Sequence, residues 1–158
     1  GHMEYNFEKK NVVDFVGGIT SDFTPLAKQQ KDIAVSFESS SKEIFASIDT
    51  TTFRQVIQNF LDNSLKYTEK GWIKVSLKEE QKSVLVTITD SGLGMDKDLL
   101  PILFEQFRRD PSIAKKIQGT GLGLFISKQI VQAHHGDTWA ESEGKGKGST
   151  FFIRIPKA

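Results

Sequence analysis

Apolar side chains recur at three- and four-residue steps in three stretches of the chain, and this spacing predicts three amphipathic helices. The first spans residues 12–26, where Pro25 is expected to kink the helix or to begin a new one. The second begins after the N-cap candidates at 49–52 and ends before Gly71. The third spans residues 119–134.

Alternating apolar and polar positions predict β-strands in much of the remaining chain. These runs are 33–38, 43–48, 73–77, 84–88, 138–142 and 150–155. The first two flank a serine-rich turn and the next two flank a polar turn, so each pair is expected to form a hairpin. Helices before and between hairpins favour an α+β fold, a two-layer α/β sandwich in which one mixed, mostly antiparallel sheet carries three main helices on one face. Strict βαβ alternation is absent, so a Rossmann fold is not expected.

The length and composition limit the classes of function. A chain of 158 residues is long enough for one domain with a substantial core. Its 21 basic and 20 acidic side chains nearly cancel, which argues against a nucleic-acid surface. The chain has no cysteine, which excludes disulfides, thiolate metal sites and thiol catalysis. No apolar run has the length of a membrane span, and residues 1–3 look like a remnant of cloning, so we expect a cytoplasmic, monomeric domain.

The second helix carries two asparagines four residues apart. Asn59, Asn63, Lys66 and Tyr67 project from adjacent positions along one flank of this helix. Asparagine is less favourable than alanine inside a helix by about 0.7 kcal/mol, so a pair in one stripe requires a reason. Amide oxygens are hard ligands that suit Mg²⁺, and a neighbouring lysine can pair with phosphate oxygens. The alternative is a solvated polar face without a ligand.

Asp90 directly follows a predicted strand and precedes Gly92 and Gly94. Glycine allows a ligand to approach the backbone closely, because no Cβ intervenes. A carboxylate at this point can accept a hydrogen bond from the exocyclic amine of adenine, whereas guanine presents an oxygen there. The alternative is a β-turn that uses Asp and Gly for their dihedral tolerance.

Three glycines alternate at the start of the third helix, at Gly119, Gly121 and Gly123, and they flank Thr120 and Leu122. Exposed N–H groups and the positive end of a helix dipole attract phosphate at such a point. The spacing fits neither a Walker P-loop nor a dinucleotide fingerprint, and a flexible hinge is the alternative.

The segment before these glycines is aperiodic and follows a short helix that is expected to end near Phe107. Four basic residues in this segment could close over a triphosphate as a lid or could form a solvated loop: Arg108, Arg109, Lys115 and Lys116. Other residues are expected to be structural: Phe104 and Phe107 as core anchors, Trp72 and Trp139 as packing residues, and His134 and His135 as cationic caps of a helix C-terminus.

Four motifs occur in order along residues 33–156: NFLDNSLKYT, DSGLGM, LFEQFRR and GTGLGLFISKQIVQAHHG. Together they resemble the asparagine, first glycine, phenylalanine and second glycine boxes of the ATP-binding catalytic domain of sensor histidine kinases. The superfamily also contains gyrase, the Hsp90 chaperones and the MutL repair proteins, and its Bergerat-type sandwich agrees with the layers predicted above. His135 departs from the pattern, since relatives often have glycine there, and only the local turn is expected to change.

The resemblance assigns metal and phosphate contacts to matching positions. It implies that Asn63 binds Mg²⁺ with Asn59 beside it, that Lys66 contacts the phosphates and that Arg109 lies near the terminal phosphate. The glycine segment 119–123 would hold the phosphates at the end of the lid.

The resemblance also assigns contacts to the base. It implies that Tyr67 stacks near the base and that Asp90 reads the adenine amine. Gly92 and Gly94 would let the nucleotide approach, and Thr150 would support the Asp90 contact through water.

The function implied is binding of Mg-ATP and donation of its γ-phosphoryl group to a histidine on a separate dimerisation domain, with a response regulator downstream. ATPase relatives carry a glutamate base at the position of Asn59, and an amide there suits transfer to a supplied nucleophile better than hydrolysis. Residues 4–30 are then a connecting helix from the dimerisation domain and 31–158 the catalytic domain, in a parent whose membrane anchoring the sequence leaves open.

Two alternatives from other classes stay open. One is a nucleotide-binding regulatory module without transfer activity, and the other is a serine kinase of the anti-sigma type on the same fold. An ATP-driven clamp is disfavoured, because Asn59 cannot act as a base.

Overall fold

The computed structural model of the protein describes residues 4–105 and 121–158. The elements in these residues are β1 (Phe7–Asn11), α1 (Val12–Lys31), β2 (Ala34–Ser39), β3 (Phe45–Asp49), α2 (Thr50–Lys66), β4 (Trp72–Glu79), β5 (Ser83–Asp90), α3 (Gly121–Ala133), β6 (Asp137–Glu141) and β7 (Ser149–Pro156). A single 3₁₀ turn, Leu100–Ile102, lies in the described part of the short helix predicted before Phe107.

Five strands form one sheet in the order β2-β4-β5-β7-β6. β2 runs parallel to β4, and the other neighbouring strands are antiparallel. The three helices of the described residues cover one face, so the predicted α+β sandwich with a mixed, mostly antiparallel sheet is confirmed. The hairpin predicted from the two runs at 73–77 and 84–88 is confirmed as β4 and β5.

The hairpin predicted for residues 33–48 is wrong. β2 pairs in parallel with β4, whereas β3 pairs with β1 in a separate antiparallel ribbon. The serine turn between β2 and β3 is bound to the end of β4: Ser40 donates its backbone N–H to the carbonyl oxygen of Leu77, and its hydroxyl accepts the N–H of Glu79. β1 has no sequence signal, because residues 7–10 are all exposed and do not alternate.

α1 is longer than predicted and continues through Pro25 to Lys31, so the expectation of a new helix at Pro25 is wrong. Its buried stripe consists of Val12, Val16, Ile19, Thr20, Phe23 and Ala27. A Cβ at Gly17 would lie 3.2 Å from the ring of Phe37 in β2. The mid-helix glycine therefore permits close packing of α1 on the sheet, which offsets its helix penalty of about 1 kcal/mol.

The core lies between the helices and the inner face of the sheet, where every second strand residue is buried. The inner residues of the three central strands are Ile73, Val75, Leu77, Val84, Val86, Ile88, Phe151, Ile153 and Ile155. Phe104 packs against Phe60 and Phe151 with ring centroids 6.2 Å from each, so its predicted anchor role is confirmed. No helix in the described ranges combines the length and apolar character needed to cross a bilayer.

The two tryptophans occupy different environments. Trp72 is 46% exposed at the start of β4, so its predicted packing role is wrong. Trp139 stacks on Phe152 with ring centroids 5.0 Å apart, and the guanidinium of Arg154 lies over its ring. These residues alternate with the buried positions of β7, so the cluster lies on the sheet face opposite the helices.

His134 is buried where the end of α3 meets the start of α2, and 2% of its surface is exposed. Its Nε2 accepts the backbone N–H of Asp49 at 3.0 Å, and its Nδ1 lies 2.8 Å from the carbonyl oxygen of Ile130. Both hydrogen bonds form together when the ring is neutral and carries its proton on Nδ1. Burial lowers the pKa of His134. His134 therefore caps a carbonyl of the last helical turn as predicted, but as a neutral ring and not as the expected cation.

His135 follows α3 with a φ of 62°, in the left-handed region that favours glycine at the end of a helix. A side chain in this conformation costs about 1–2 kcal/mol. The departure from the family pattern therefore adds local strain at one residue, and the chain still enters β6 at Asp137.

We predict that acidification destabilises the domain through His134. The imidazole titrates near pH 6.5 in an unfolded chain, whereas burial lowers its pKa in the folded domain, so the unfolded state binds the proton first. The contribution of neutral His134 is complete above about pH 6.5 and is lost as the pH falls from there toward the folded pKa. Thermal unfolding measured between about pH 7.5 and 5.5 should show a falling Tm.

The variant His134→Gln keeps an acceptor for the Asp49 N–H but does not titrate, so its Tm should be lower at neutral pH and should depend less on pH. His135→Asn is the matched control, because asparagine tolerates left-handed φ and the buried hydrogen bonds stay intact. Equal pH slopes for the parent domain and His134→Gln would contradict this explanation.

Candidate nucleotide-binding site

A cavity of about 530 Å³ opens between the end of α2, the loop after β5 and the first residues of β7. This volume lies within the range of small-molecule sites. The residues that line it are Asn63, Tyr67, Asp90, Leu93, Gly94, Met95, Asp96, Leu99, Leu103, Leu124, Lys145, Gly146, Ser149 and Phe151. Most of this surface is apolar, and a few polar groups converge on it.

Asp90 provides a buried carboxylate at the end of β5, with 4% of its surface exposed. Burial raises its pKa, while the Gly92 N–H, donated to Oδ1 at 2.9 Å, and the hydroxyls of Ser64 and Thr68 oppose the rise. These two hydroxyls lie near the carboxylate, yet within residues 4–105 and 121–158 neither makes a hydrogen bond of good geometry. The cavity therefore contains a carboxylate with further capacity to accept hydrogen bonds.

Asn63 projects from the last turns of α2 into the same cavity and is 7% exposed. Its Nδ2 is buried and has no hydrogen-bond partner among the described residues. An unsatisfied buried polar group costs about 1–3 kcal/mol, and an amide can turn either its oxygen or its nitrogen toward a ligand. The side chain thus fits a site that a polar ligand or a metal completes.

Asn59 lies one turn earlier on α2 and contacts α3 instead of lining the cavity. Its Nδ2 donates to the hydroxyl of Ser127 at 3.1 Å. A Cβ at Gly123 would lie 3.0 Å from both Nδ2 and Oδ1 of Asn59. Gly123 therefore permits α2 and α3 to approach closely, and the metal role of Asn59 stays a prediction.

Lys66 and Tyr67, at the end of α2, differ in their position relative to the cavity. Tyr67 forms part of the cavity wall. Lys66 is exposed, and its ammonium lies 5.5 Å from the centroid of the Tyr67 ring. Of the four residues predicted along this flank of α2, Asn63 and Tyr67 therefore line the described cavity, and Asn59 and Lys66 do not.

Gly92 and Gly94 are close to protein backbone, which differs from the predicted nucleotide contact. A Cβ at Gly92 would overlap the carbonyl oxygen of Tyr67, and one at Gly94, whose φ is 71°, would overlap that of Gly144. Leu93 also donates its N–H to the Tyr67 carbonyl at 2.9 Å. The glycines therefore allow backbone segments to converge, while Gly94 also lines the cavity.

Thr150 does not line this cavity. It lies opposite Thr89 in the β5–β7 register, whereas Ser149 lies opposite Asp90 and lines the cavity. Side chains alternate along a strand, so Ser149 and Thr150 face opposite sides of the sheet. The sequence contained a signal for Ser149, because it is in phase with the apolar position Phe151.

The third predicted segment adjoins the cavity through α3. This helix begins at Gly121, and Leu124 in its first turn lines the same cavity as Asn63. The central helix and the first turn of α3 therefore meet at one cavity. The other predicted residues of this region lie outside the described residues: Phe107, Arg108, Arg109, Lys115, Lys116, Gly119 and Thr120. For Gly121 and Leu122 the structure describes the helical backbone only.

The apolar wall of the cavity was not predicted as part of a site. Leu93, Met95, Leu99 and Leu103 come from the loop after β5, and their sequence pattern does not distinguish a ligand wall from a core. At the mouth, the ammonium of Lys145 lies 3.7 Å from the carboxylate of Asp96, and both are partly or largely exposed. An apolar cleft with one buried carboxylate suits a flat, amine-bearing ring.

The comparisons with known proteins agree with this geometry. The model of the histidine kinase-, DNA gyrase B- and HSP90-like ATPase family matches residues 48–158. The sensor histidine kinase WalK of Bacillus subtilis is 33% identical over 155 residues, which are 95% of this chain and 25% of WalK. The sensor protein KdpD of Clostridium acetobutylicum is 36% identical over 157 residues, 98% of this chain and 17% of KdpD.

Solved structures give the same family. The nucleotide-free catalytic domain of the histidine kinase ThkA superposes with a TM-score of 0.82 at 27% identity, covering 96% of this chain and 98% of that domain. The chain spans a quarter or less of the two curated relatives above. It therefore belongs to the histidine kinase-, DNA gyrase B- and HSP90-like ATPase family, in which it is similar to the catalytic domains of sensor histidine kinases.

Proposed function

We propose that this domain binds Mg-ATP in the Asp90 cavity and donates the γ-phosphoryl group to a histidine on a separate dimerisation domain. One observation supports the proposal most directly: a buried carboxylate, that of Asp90, lines one apolar cavity with the buried amide of Asn63, whose Nδ2 has no hydrogen-bond partner among the described residues. Similarity to sensor histidine kinases supports the reaction class, and the size and lining of the cavity support nucleotide binding.

Asp90 is the group that selects the base. Its carboxylate accepts a hydrogen bond from the exocyclic amine of adenine, whereas the oxygen of guanine at that position would be repelled. The apolar wall formed by residues such as Leu93, Met95 and Phe151 covers the faces of the ring. Tyr67 is assigned to the same wall near the base.

Asn63 is the described residue best placed to hold the metal, since its amide is buried beside the base site and its oxygen is a hard ligand. Mg²⁺ supplies charge neutralisation for the transferred phosphoryl group when it is bound. We retain Asn59 as a second candidate ligand and Lys66 and Arg109 as phosphate contacts. The glycine segment 119–123 is proposed to hold phosphate with its backbone N–H groups.

The nucleophile is proposed to come from outside this chain. The amide of Asn59 cannot accept a proton as a base, and it already donates to Ser127. Both ring nitrogens of His134 are engaged in buried hydrogen bonds, so this histidine is not available as an acceptor. In the transfer, the acceptor histidine nitrogen forms a bond to the γ-phosphorus, the bond to the bridging oxygen breaks, and ADP leaves.

The partners follow from this reaction. ThkA has been solved in complex with the response regulator TrrA, and 96% of this chain superposes on it with a TM-score of 0.78 at 25% identity. We infer that a response regulator receives the phosphoryl group here too. Residues 4–30 are proposed to lead from the dimerisation domain, and the buried stripe of α1 anchors that connection on the domain core.

We predict that Asp90→Asn weakens ATP binding and reduces discrimination against GTP. The change removes a charged acceptor, and hydrogen bonds to charged groups contribute about 1.5–3 kcal/mol, so the Kd for ATP should rise by about tenfold or more. Calorimetric titration with ATP and with GTP measures the Kd of each nucleotide and therefore the discrimination between them. Asp96→Asn, at the exposed mouth of the cavity, is the matched control. An unchanged ratio of ATP affinity to GTP affinity in Asp90→Asn would contradict the base-reading role.

We predict that Asn63→Ala abolishes the gain in ATP affinity that Mg²⁺ provides, because the variant lacks the amide ligand. ATP binding is titrated with Mg²⁺ and with EDTA. Gln58→Ala is the control, since Gln58 is partly exposed and its side chain is hydrogen-bonded only to Asp62 on the same helix among the described contacts. If Asn63→Ala still binds ATP more tightly with the metal than without it, the assignment is wrong. Asn59→Ala reports whether a second amide contributes.

We predict phosphoryl transfer in trans. Incubation of this domain and γ-labelled ATP with the dimerisation domain of its own parent should place an acid-labile label on that domain. Acid-stable label on a small partner would indicate a serine kinase, and nucleotide binding without any transfer would indicate a regulatory module. Rapid ATP turnover by the isolated domain would indicate an ATP-driven clamp instead.

A further inference from the structure

The last residue of α1 reaches the end of α2. The ammonium of Lys31 donates to three backbone carbonyl oxygens there: those of Leu65 at 2.8 Å, Lys66 at 3.1 Å and Thr68 at 3.4 Å. An ammonium has three N–H donors, so one side chain can serve all three carbonyls. The Lys31 side chain is 27% exposed, and most of its length is therefore covered.

A cation is favoured at this point for two reasons. The last carbonyls of a helix have no partner within the helix, and those of α2 end at Lys66. The C-terminus of a helix also carries partial negative charge, and Lys31 is itself in the last turn of α1. One ammonium therefore offsets the C-terminal ends of two helices. The carboxylate of Glu69, 3.8 Å away and 76% exposed, adds little to this.

The turn that Lys31 holds forms one side of the nucleotide cavity. Tyr67 contributes its ring to the wall, and its carbonyl accepts the N–H of Leu93 at 2.9 Å, which holds the loop after β5. The next residue, Thr68, is fully buried, and its hydroxyl lies near the Asp90 carboxylate. The position of residues 66–68 thus determines the cavity wall at Tyr67, the position of the loop after β5 and the surroundings of the Asp90 carboxylate.

We propose that Lys31 is a positioning residue for nucleotide binding, which holds the turn 66–68 in the conformation that the cavity requires. It acts through the backbone of this turn and makes no contact with nucleotide. The proposal rests on the proposed function in one respect, that the cavity beside Asp90 binds ATP. Nothing in the four family motifs assigns a role to this residue, which precedes all of them in the chain.

The absence of cysteine from the sequence allows a chemical test at one atom. In Lys31→Cys, alkylation with 2-bromoethylamine restores an ammonium on a side chain of the same length, with sulfur in place of one methylene. Alkylation with iodoacetamide gives a neutral side chain of similar size. Lys28→Cys, treated in the same two ways, is the matched control, because Lys28 lies on the same helix and its ammonium pairs only with the exposed Asp32 among the described contacts.

Three quantities are measured for each protein: the Kd for ATP with Mg²⁺, the exchange rate of the Leu93 amide without nucleotide, and Tm. The neutral form of Lys31→Cys should bind ATP about tenfold more weakly and exchange the Leu93 amide about tenfold faster, which corresponds to loss of one charge-assisted hydrogen bond. The aminoethylated form should recover both values, and neither form of Lys28→Cys should change them.

Two results would overturn the proposal. One is an unchanged Kd and an unchanged Leu93 exchange rate in the neutral form. The other is an equal loss of protection at Leu93 and at core amides such as Ile57 and Val75, with no recovery on aminoethylation, because a general structural role would have that effect. If the parent domain itself does not bind ATP, the proposed function fails, and the Leu93 amide alone decides whether Lys31 positions the turn.

Discussion

A carboxylate buried at the end of a strand needs local hydrogen-bond donors to stay charged, and the site depends on how this need is met at Asp90. The Gly92 N–H comes from the loop after β5, and the Ser149 N–H comes from β7. The hydroxyls of Ser64 and Thr68, which lie near the carboxylate, come from the end of α2 and the turn after it. Three separate parts of the chain must therefore approach one another closely. The cavity is the space that remains beside this convergence.

The fold was predictable where the determining contacts are local. β4 and β5 alternate clearly and are joined by a short polar turn, so the sequence predicts both strands and their pairing. β2 and β3 alternate as well, but their partners are β4 and β1, which lie elsewhere in the chain. Pairing with distant strands leaves no mark in a local pattern, so the hairpin expected there was wrong although both strands exist.

The site was predictable to the extent that chemistry marks it. Asp90, Asn63 and Tyr67 are conspicuous by residue type and position, and all three line the cavity. Thr150 was predicted, whereas its neighbour Ser149 lines the cavity, and a shift of one residue in a strand changes the face of the sheet. The structural requirement for glycine at position 123 could not be predicted either, because this glycine makes room for the side chain of Asn59 on another helix. Such a requirement arises only in the packed structure.

Asn59 shows how a neutral amide serves helix packing. Its amide donates to Ser127 and lies against Gly123, so it forms part of the contact between α2 and α3. A glutamate here would bring a charge into a contact where the described partner is a single hydroxyl, and burial penalises a poorly paired charge. Under the proposed function, the position of a hydrolytic base is thus taken by a residue that joins two helices. The proposed reaction then depends on a nucleophile brought by another domain, and the geometry of that encounter would determine whether phosphoryl transfer occurs.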